Sequence, residues 1–456
     1  MKQAHRRGAT AEQTAAYAKK LARMIDCKTV WTREGTYDAE FARFYAAVEE
    51  LFPTLAAKAK KLTFGSGCFF YVIEGEQAEK NILYMSHHDV VDGGEGWNTD
   101  PFTATEQDGY LYGRGTIDTK TPLFAQLQAC EELLQERYAF PGINLYIGSS
   151  NNEEVCGDGM VLAVQYFREQ GIRFDIVLDE GGAITEGQIP GVRCKSAVVA
   201  VHEKSRHLFR CTAELSAKGH GGFGGPKDSA VERLSRFITE VSRKSSRIYK
   251  PAFYPEVRAT FERHVPYMSF PMNFLFGNIG IFAPIIKKIM MGSPAASAML
   301  STGVSFTTLQ AGDGTTPQIR ANRAEATMFL RCIREEDLYA GLEKIKEIAK
   351  RYGVAIEEVE RDYCRPTDFH GEAYQAVEAL LHKNFPDVAV APFLLTAGTD
   401  ARRFTDIADN ILRFAPIDLN KEQFSTIHNS NEHIGIQNIG ECVVFYKDFA
   451  QIISHT

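Results

Sequence analysis

No long run of lysine and arginine occurs in this 456-residue chain, whose 58 acidic and 51 basic residues are intermixed and give a formal net charge of −7. Phosphate backbones are held by clustered cations, so a nucleic-acid partner is excluded. A regular membrane span is lacking too. The one candidate, 265–286, has no charged residue but carries Pro266, Pro271 and Pro284 among two asparagines and two glycines. It reads as a buried or interface segment, with an exposed lid or membrane-surface patch as the alternative, and no membrane anchor is expected. The start, Met1 to Gly8, is basic but leads into polar sequence rather than an apolar signal core, which predicts a cytoplasmic protein. Nine cysteines, scattered from Cys27 to Cys442, fit reduced thiols better than a disulfide framework. Neither an internal repeat nor a low-complexity tract is present.

What is present is an alternation of elements. Phe41, Phe44, Ala47, Val48 and Leu51 mark a surface helix that Pro53 should stop. Apolar strands are predicted at 68–73, 82–86, 143–147 and 174–178, with helices over 122–137 and 160–168 between them. Strands alternating with helices indicate an α/β sheet covered on both faces. After about Ser205 the rhythm changes to strands at 208–215, 324–329 and 354–359 with helices around 231–241 and 335–351. That predicts a smaller α+β domain, with 252–302 as a long irregular insertion in it. The text around 394–400 and 412–415 returns to the first pattern. The expected organisation is a catalytic domain in two parts, 1–205 and 362–456, with 206–361 inserted.

Chemistry gathers at the predicted strand ends, where such sheets place their sites. His87 and Asp89 can point the same way from an extended segment, and a carboxylate that takes an imidazole's second proton strengthens it as a metal donor. Alone, a His-x-Asp is more often a hydrogen-bonded strand-end histidine. Asp118 follows the turn Gly113-Arg114-Gly115 and precedes an apolar helix, so it could cap that helix or bridge two metals. Glu153-Glu154 follows one strand and Asp179-Glu180-Gly181-Gly182 another, and His428 follows a turn. Five potential ligands, His87, Asp118, Glu154, Asp179 and His428, thus stand at strand ends or turns.

These segments carry a resemblance. Ser86-His87-His88-Asp89-Val90-Val91, the run from Trp97 to Phe102, and Asp108 through Gly113-Arg114-Gly115-Thr116-Ile117-Asp118 are similar to the zinc-dependent aminoacylase and carboxypeptidase family. So are Asn152-Glu153-Glu154, Asp179-Glu180-Gly181-Gly182, Gly219-His220, Gly398-Thr399-Asp400 and Ile427-His428. Within that family the chain resembles the carboxypeptidase S-like branch, with its N-fatty-acyl-amino-acid hydrolases and Gly-x carboxypeptidases. The resemblance implies a phosphorylase/hydrolase-like dizinc exopeptidase domain of α/β class with an inserted α+β lid or dimerisation domain. It implies two divalent metals, zinc or alternatively cobalt or manganese. Asp118 would bridge them, His87 and Asp179 would complete one site, and Glu154 and His428 the other. Asp89 would orient His87, Glu153 would act as general base, and His220 would meet the oxyanion, often across a homodimer. Gly398 and Thr399 would contact a substrate carboxylate, with Arg402 and Arg331 as further candidates for that anion.

The chain departs from the family pattern at Asn152, where an aspartate is usual, at Gln318-Ile319-Arg320-Ala321, where an Asn-x-Ile-Pro text is usual, and at Glu203-Lys204-Ser205, where a glycine usually ends the hinge. Cys156 offers a conceivable but unneeded thiolate ligand. The expected activity is metal-dependent hydrolysis of an amide next to a free carboxylate in short peptides. The alternatives are an N-acyl-amino-acid amidohydrolase, with 265–286 lining an acyl pocket, and a noncatalytic metal- or peptide-binding protein.

Overall fold

The computed structural model describes residues 6–32, 38–215, 229–312 and 319–455 and, as backbone only, 35–36 and 219–220. Its larger sheet follows from the all-apolar runs of the sequence. Strands Phe174–Asp179, Lys80–His87 and Ile143–Ser150 lie side by side and parallel, with Ala408–Arg413 parallel on the outer side of the first. Cys68–Ile73 is buried along its whole length and closes one flank antiparallel, followed by Lys60–Phe64. On the other flank Ser196–Glu203 pairs in parallel with Ala389–Leu395. Helices Lys120–Gln135 and Ile436–Ile453 pack together on one face, and Gly159–Glu169 covers the other. With both faces covered, each central strand carries a continuous apolar run, at 82–85, 145–147 and 176–178, rather than alternating. Parallel strands put their carboxyl ends on one edge, so His87 is in register with Ser150, and Asp179 with Arg413.

The smaller sheet is antiparallel, in the order Gly303–Ala311, Arg323–Cys332, Ser205–Glu214, Val354–Asp362. Helices Ala230–Ile248 and Glu335–Tyr352 pack on one face through Leu234, Phe237, Leu342 and Ile345. Ser205–Glu214 follows directly on Ser196–Glu203, so the chain crosses between the two sheets at Lys204.

The surface helix runs Asp38–Leu51 and ends just before Pro53, as expected, and Pro53 opens a second short helix, Pro53–Lys58. One expectation needs correction. The segment 252–302 is not irregular but helical, with Pro255–His264, Met272–Gly277, Ile279–Met290 and Pro294–Ala298. Pro255 and Pro294 occupy first turns, where the missing N–H has no partner to lose, while Pro284 sits inside a helix. These helices pack on the large sheet rather than the small one. Phe261, Phe276, Ile286 and Met290 form a core with Ile189 and Leu394. Among the described residues no helix is long and apolar enough to cross a membrane.

Candidate metal centre

His87 is the last residue of Lys80–His87, and its ring is fixed from both sides. Nδ1 lies 2.9 Å from the Asp89 carbonyl oxygen, and Nε2 lies 3.0 Å from Asp118 Oδ1. The other Asp118 oxygen, Oδ2, lies 2.9 Å from Nε2 of His428, which is also 3.3 Å from Glu154 Oε2. Asp118 therefore divides its two oxygens between two imidazoles, as a bridging carboxylate must. Ligand atoms of His87, Asp118 and Glu154 all lie within 4.8 Å of one another.

Two buried carboxylates hold this arrangement in place. Asp89, fully buried, accepts the backbone N–H of Glu153 and of Glu154, each at 3.1 Å. It thereby ties the glutamate pair to the strand carrying His87. Glu432, also fully buried, accepts from Arg114 Nη1 at 2.7 Å and from the backbone N–H of Gly115, Ile117 and Asp118 at 3.1, 2.7 and 3.1 Å. The turn that presents Asp118 is thus wrapped on one carboxylate 314 residues away in sequence. Sequence reasoning missed Glu432; its only signal is its place four residues after His428.

The strand Phe174–Asp179 ends differently from expectation. Successive side chains of an extended segment point to opposite sides, so only one of Asp179 and Glu180 can face the centre. Asp179 Oδ2 accepts the Ala401 N–H at 3.0 Å and lies behind the cavity wall, whereas Glu180 lines the cavity with His87, Asp118 and Glu154. The side chain this strand end brings to the cavity is therefore that of Glu180.

Electrostatics show what this cluster lacks. Burial, then the charge of Asp400, pushes the Glu153 carboxyl well above its usual range. Burial and then Asp179 and Asp118 do the same to Glu180. Asp179 is pushed up to about 6, by burial first. Conversely, hydrogen bonds to Asp118 and Glu154 raise His428 to about 10. Burial would raise Asp118, but the hydrogen bonds from His428 and His87 win and hold it well below the usual range. Protons on imidazoles are thus balancing an excess of carboxylates at short range, a balance that divalent cations restore more completely. Glu154 Oε1 is buried without a hydrogen-bond partner, as a metal ligand would be. The donor set of imidazole and carboxylate fits zinc, and cobalt or manganese as well.

The expected substrate contacts fare less uniformly. Gly398 and Thr399 line the cavity, but the Thr399 N–H and hydroxyl both donate to buried Glu203, at 3.2 and 3.1 Å. Arg402 is 6% exposed, outside the cavity wall, and donates to Asp362 Oδ2 at 2.6 Å and to the Thr399 carbonyl at 2.9 Å. Its Nε and Nη1 are thus engaged in joining the sheets. Arg331 is likewise off the wall, donating to the Lys204 carbonyl at 3.2 Å. No lysine or arginine lines the cavity among the described residues. His220 lies in a backbone pair of Gly219–His220 with Ile319–Arg320; its side chain, and Gln318, lie outside the described residues. Asn152 donates to Asp158 Oδ1 at 3.3 Å, outside the metal cluster. Cys156 is exposed and 3.5 Å from Arg206 Nη1.

The centre forms the floor of a cavity of about 680 Å³, within the range of small-molecule sites. Its far wall is apolar and comes from the 252–302 helices, with Phe261, Met272, Leu275, Phe276, Ile286 and Met290.

Known proteins give this geometry a setting. A family model described as peptidase family M20/M25/M40 matches residues 83–452. The chain is 27% identical over 461 residues to N-fatty-acyl-amino acid synthase/hydrolase PM20D1 of Mus musculus, covering 96% of this chain and 88% of that one. It is 26% identical over 441 residues to probable carboxypeptidase S-like 2 of Dictyostelium discoideum, covering 94% and 83%. Among solved structures, the M20 family metallo-carboxypeptidase Sso-CP2 of Sulfolobus solfataricus superposes with a TM-score of 0.66 at 18% identity, covering 96% of this chain and 99% of that one.

Proposed function

Since the chain belongs to peptidase family M20/M25/M40, and is thereby an enzyme of metal-dependent amide hydrolysis, we propose that its substrate is an N-acyl amino acid carrying a long apolar acyl group, split into a carboxylic acid and an amino acid. One observation carries this reading: the catalytic floor and the apolar wall of the 252–302 helices share one cavity. A short peptide has little to bury against Phe276, Ile286 and Met290, whereas an acyl chain does. The relative named for N-fatty-acyl-amino acids and the one named carboxypeptidase S-like bracket the two chemistries. The peptide reading, placed first on sequence alone, becomes the second.

His87, Asp118, Glu154, His428 and, in place of Asp179, Glu180 would hold two divalent metals. When bound, these supply positive charge that polarises the amide carbonyl and lowers the proton affinity of water. The chain's own residues do the rest. Glu153 faces the cavity with a raised proton affinity, so its carboxylate can take the proton of the attacking water and hand it to the leaving nitrogen. Asp89 fixes the backbone of Glu153 and Glu154 relative to His87. The backbone at Gly398 is assigned to the substrate carboxylate; an added Cβ there would stand 2.5 Å from Arg402 Nη1, so a larger residue would have to displace that guanidinium. His220 keeps the oxyanion role that the resemblance gives it.

The test is a turnover panel of N-acyl amino acids of graded chain length beside free dipeptides, with and without chelator. Long-chain N-acyl substrates should be preferred, and chelation should abolish turnover. Cleavage of dipeptides alone would replace this reading with the peptidase one.

A further inference from the structure

The helices that wall the cavity turn a second apolar face outward. Phe270 is 79% exposed, Ile281 74%, Ile289 57%, Phe274 53% and Ile285 52%. Ile281, Ile285 and Ile289 recur every four residues along Ile279–Met290 and so form one row, while Ile286 and Met290 are buried on the inner side. A chain in water seldom leaves so much contiguous apolar surface uncovered.

Charge is equally one-sided. Residues 265–302 include Lys287 and Lys288 but no aspartate or glutamate, in a chain of net charge −7. Lys288 is exposed beside the isoleucine row, and Lys287 is half-buried, 5.9 Å from the Phe253 ring. The cavity reaches this same face, because Ile289, Ser293 and Ala295 are both exposed and part of its lining.

We propose that this face docks on an anionic lipid surface, with Phe270, Phe274 and the isoleucine row in the boundary between headgroups and acyl chains and the lysines on the headgroups. A short helix that is apolar on its outer row, flanked by lysine and free of acid, lies in the plane of such an interface without spanning it. An anionic surface attracts each lysine, and it repels the acid-rich remainder of the chain, which orients the docking. A second copy of the same face would set lysine against lysine, so charge favours lipid over self-association. Docking would turn the cavity mouth toward the layer in which long-chain N-acyl amino acids partition; that consequence rests on the reading above, whereas the docking itself does not.

The experiment is flotation of the full chain with vesicles of phosphatidylcholine alone or mixed with phosphatidylglycerol, in the absence of substrate. The chain should float with the anionic vesicles. Ile281→Ser with Ile285→Ser, and separately Lys288→Glu, should weaken this by about tenfold or more while leaving the melting temperature unchanged, since all three positions are exposed and outside the cavity lining. No flotation at any composition, or equal flotation of the variants, would overturn the proposal. So would a dimer without lipid affinity that the same substitutions dissociate. Because no substrate is present, inert N-acyl amino acids would leave a positive flotation result standing, and failed flotation would leave the hydrolysis reading standing.

Discussion

The two ends of the cavity are built on different principles. At the floor, His87, Asp118, Glu153, Glu154, Glu180 and His428 come from strand ends and turns, with Asp89 holding the glutamate pair and Glu432 the Asp118 turn. At the wall, Phe261, Phe276, Ile286 and Met290 come from a chain excursion that leaves the smaller domain and packs on the larger sheet. The floor depends on the distances between donor atoms. The wall depends on apolar area, which many side chains could supply. On the proposed reading, chemistry belongs to one end and selectivity to the other, so substitutions should separate turnover from substrate preference.

The largest expected effect is at the floor. Glu153→Gln removes the proton carrier and should lower kcat by about a thousandfold, with metal content by elemental analysis unchanged. Unaltered kcat would move the base elsewhere. Next comes the choice between neighbours. Glu180→Ala should reduce metal content from about two equivalents toward about one, whereas Asp179→Asn should retain both ions; the reverse pattern would restore Asp179 as ligand.

At the wall, Met272→Asp places a charge on the apolar lining and should cost about 10- to 100-fold in kcat/KM for a long-chain N-acyl substrate, with an N-acetyl substrate nearly unaffected. Equal losses for both would mean that floor and wall are not separable. The smallest effect on turnover at neutral pH concerns how the wall is fastened. Glu256, on the first wall helix, accepts from Arg334 Nη1 and Nη2 at 2.9 and 2.8 Å, with His202 Nδ1 2.9 Å away. Burial would raise this carboxyl, but the hydrogen bonds from His202 and Arg334 outweigh it and bring it down to about 2 from 4.5. A lowered folded-state value contributes stability that is complete above pH 4.5 and lost as pH falls toward 2, about 3 kcal/mol at most. Acid titration of unfolding should therefore show Glu256→Gln less stable at neutral pH and flatter across that window; parallel curves would remove Glu256 as the fastener.

The same contrast governs how much the sequence disclosed. That His87, Asp118 and the Glu153-Glu154 pair gather at one place was legible because donors at strand ends and turns leave a local signature of apolar run, then donor. The choice between Asp179 and Glu180 was not, because a strand's alternation assigns faces only once its last residue is known. Glu432 and Arg413 were invisible for another reason. Arg413, fully buried, donates to Glu203 at 2.7 Å, and Glu432 works on the Asp118 turn; neither pairing has a local pattern. Arg402, which a motif alone leaves open between an anion contact and a salt bridge, is found paired with Asp362. The wall helices were misread because their prolines look like breakers when counted and like helix starts when placed. Fold class, carried by long apolar runs, was readable throughout.

The central claim is that floor and wall act on one molecule at once, and acyl chain length probes it most directly. Measured over a series of N-acyl derivatives of one amino acid, kcat/KM should rise with each added methylene by about two- to fourfold until the wall is filled, approaching the transfer free energy of a buried CH₂. A flat dependence from acetyl to long chains, with metal bound and Glu153 intact, would contradict it.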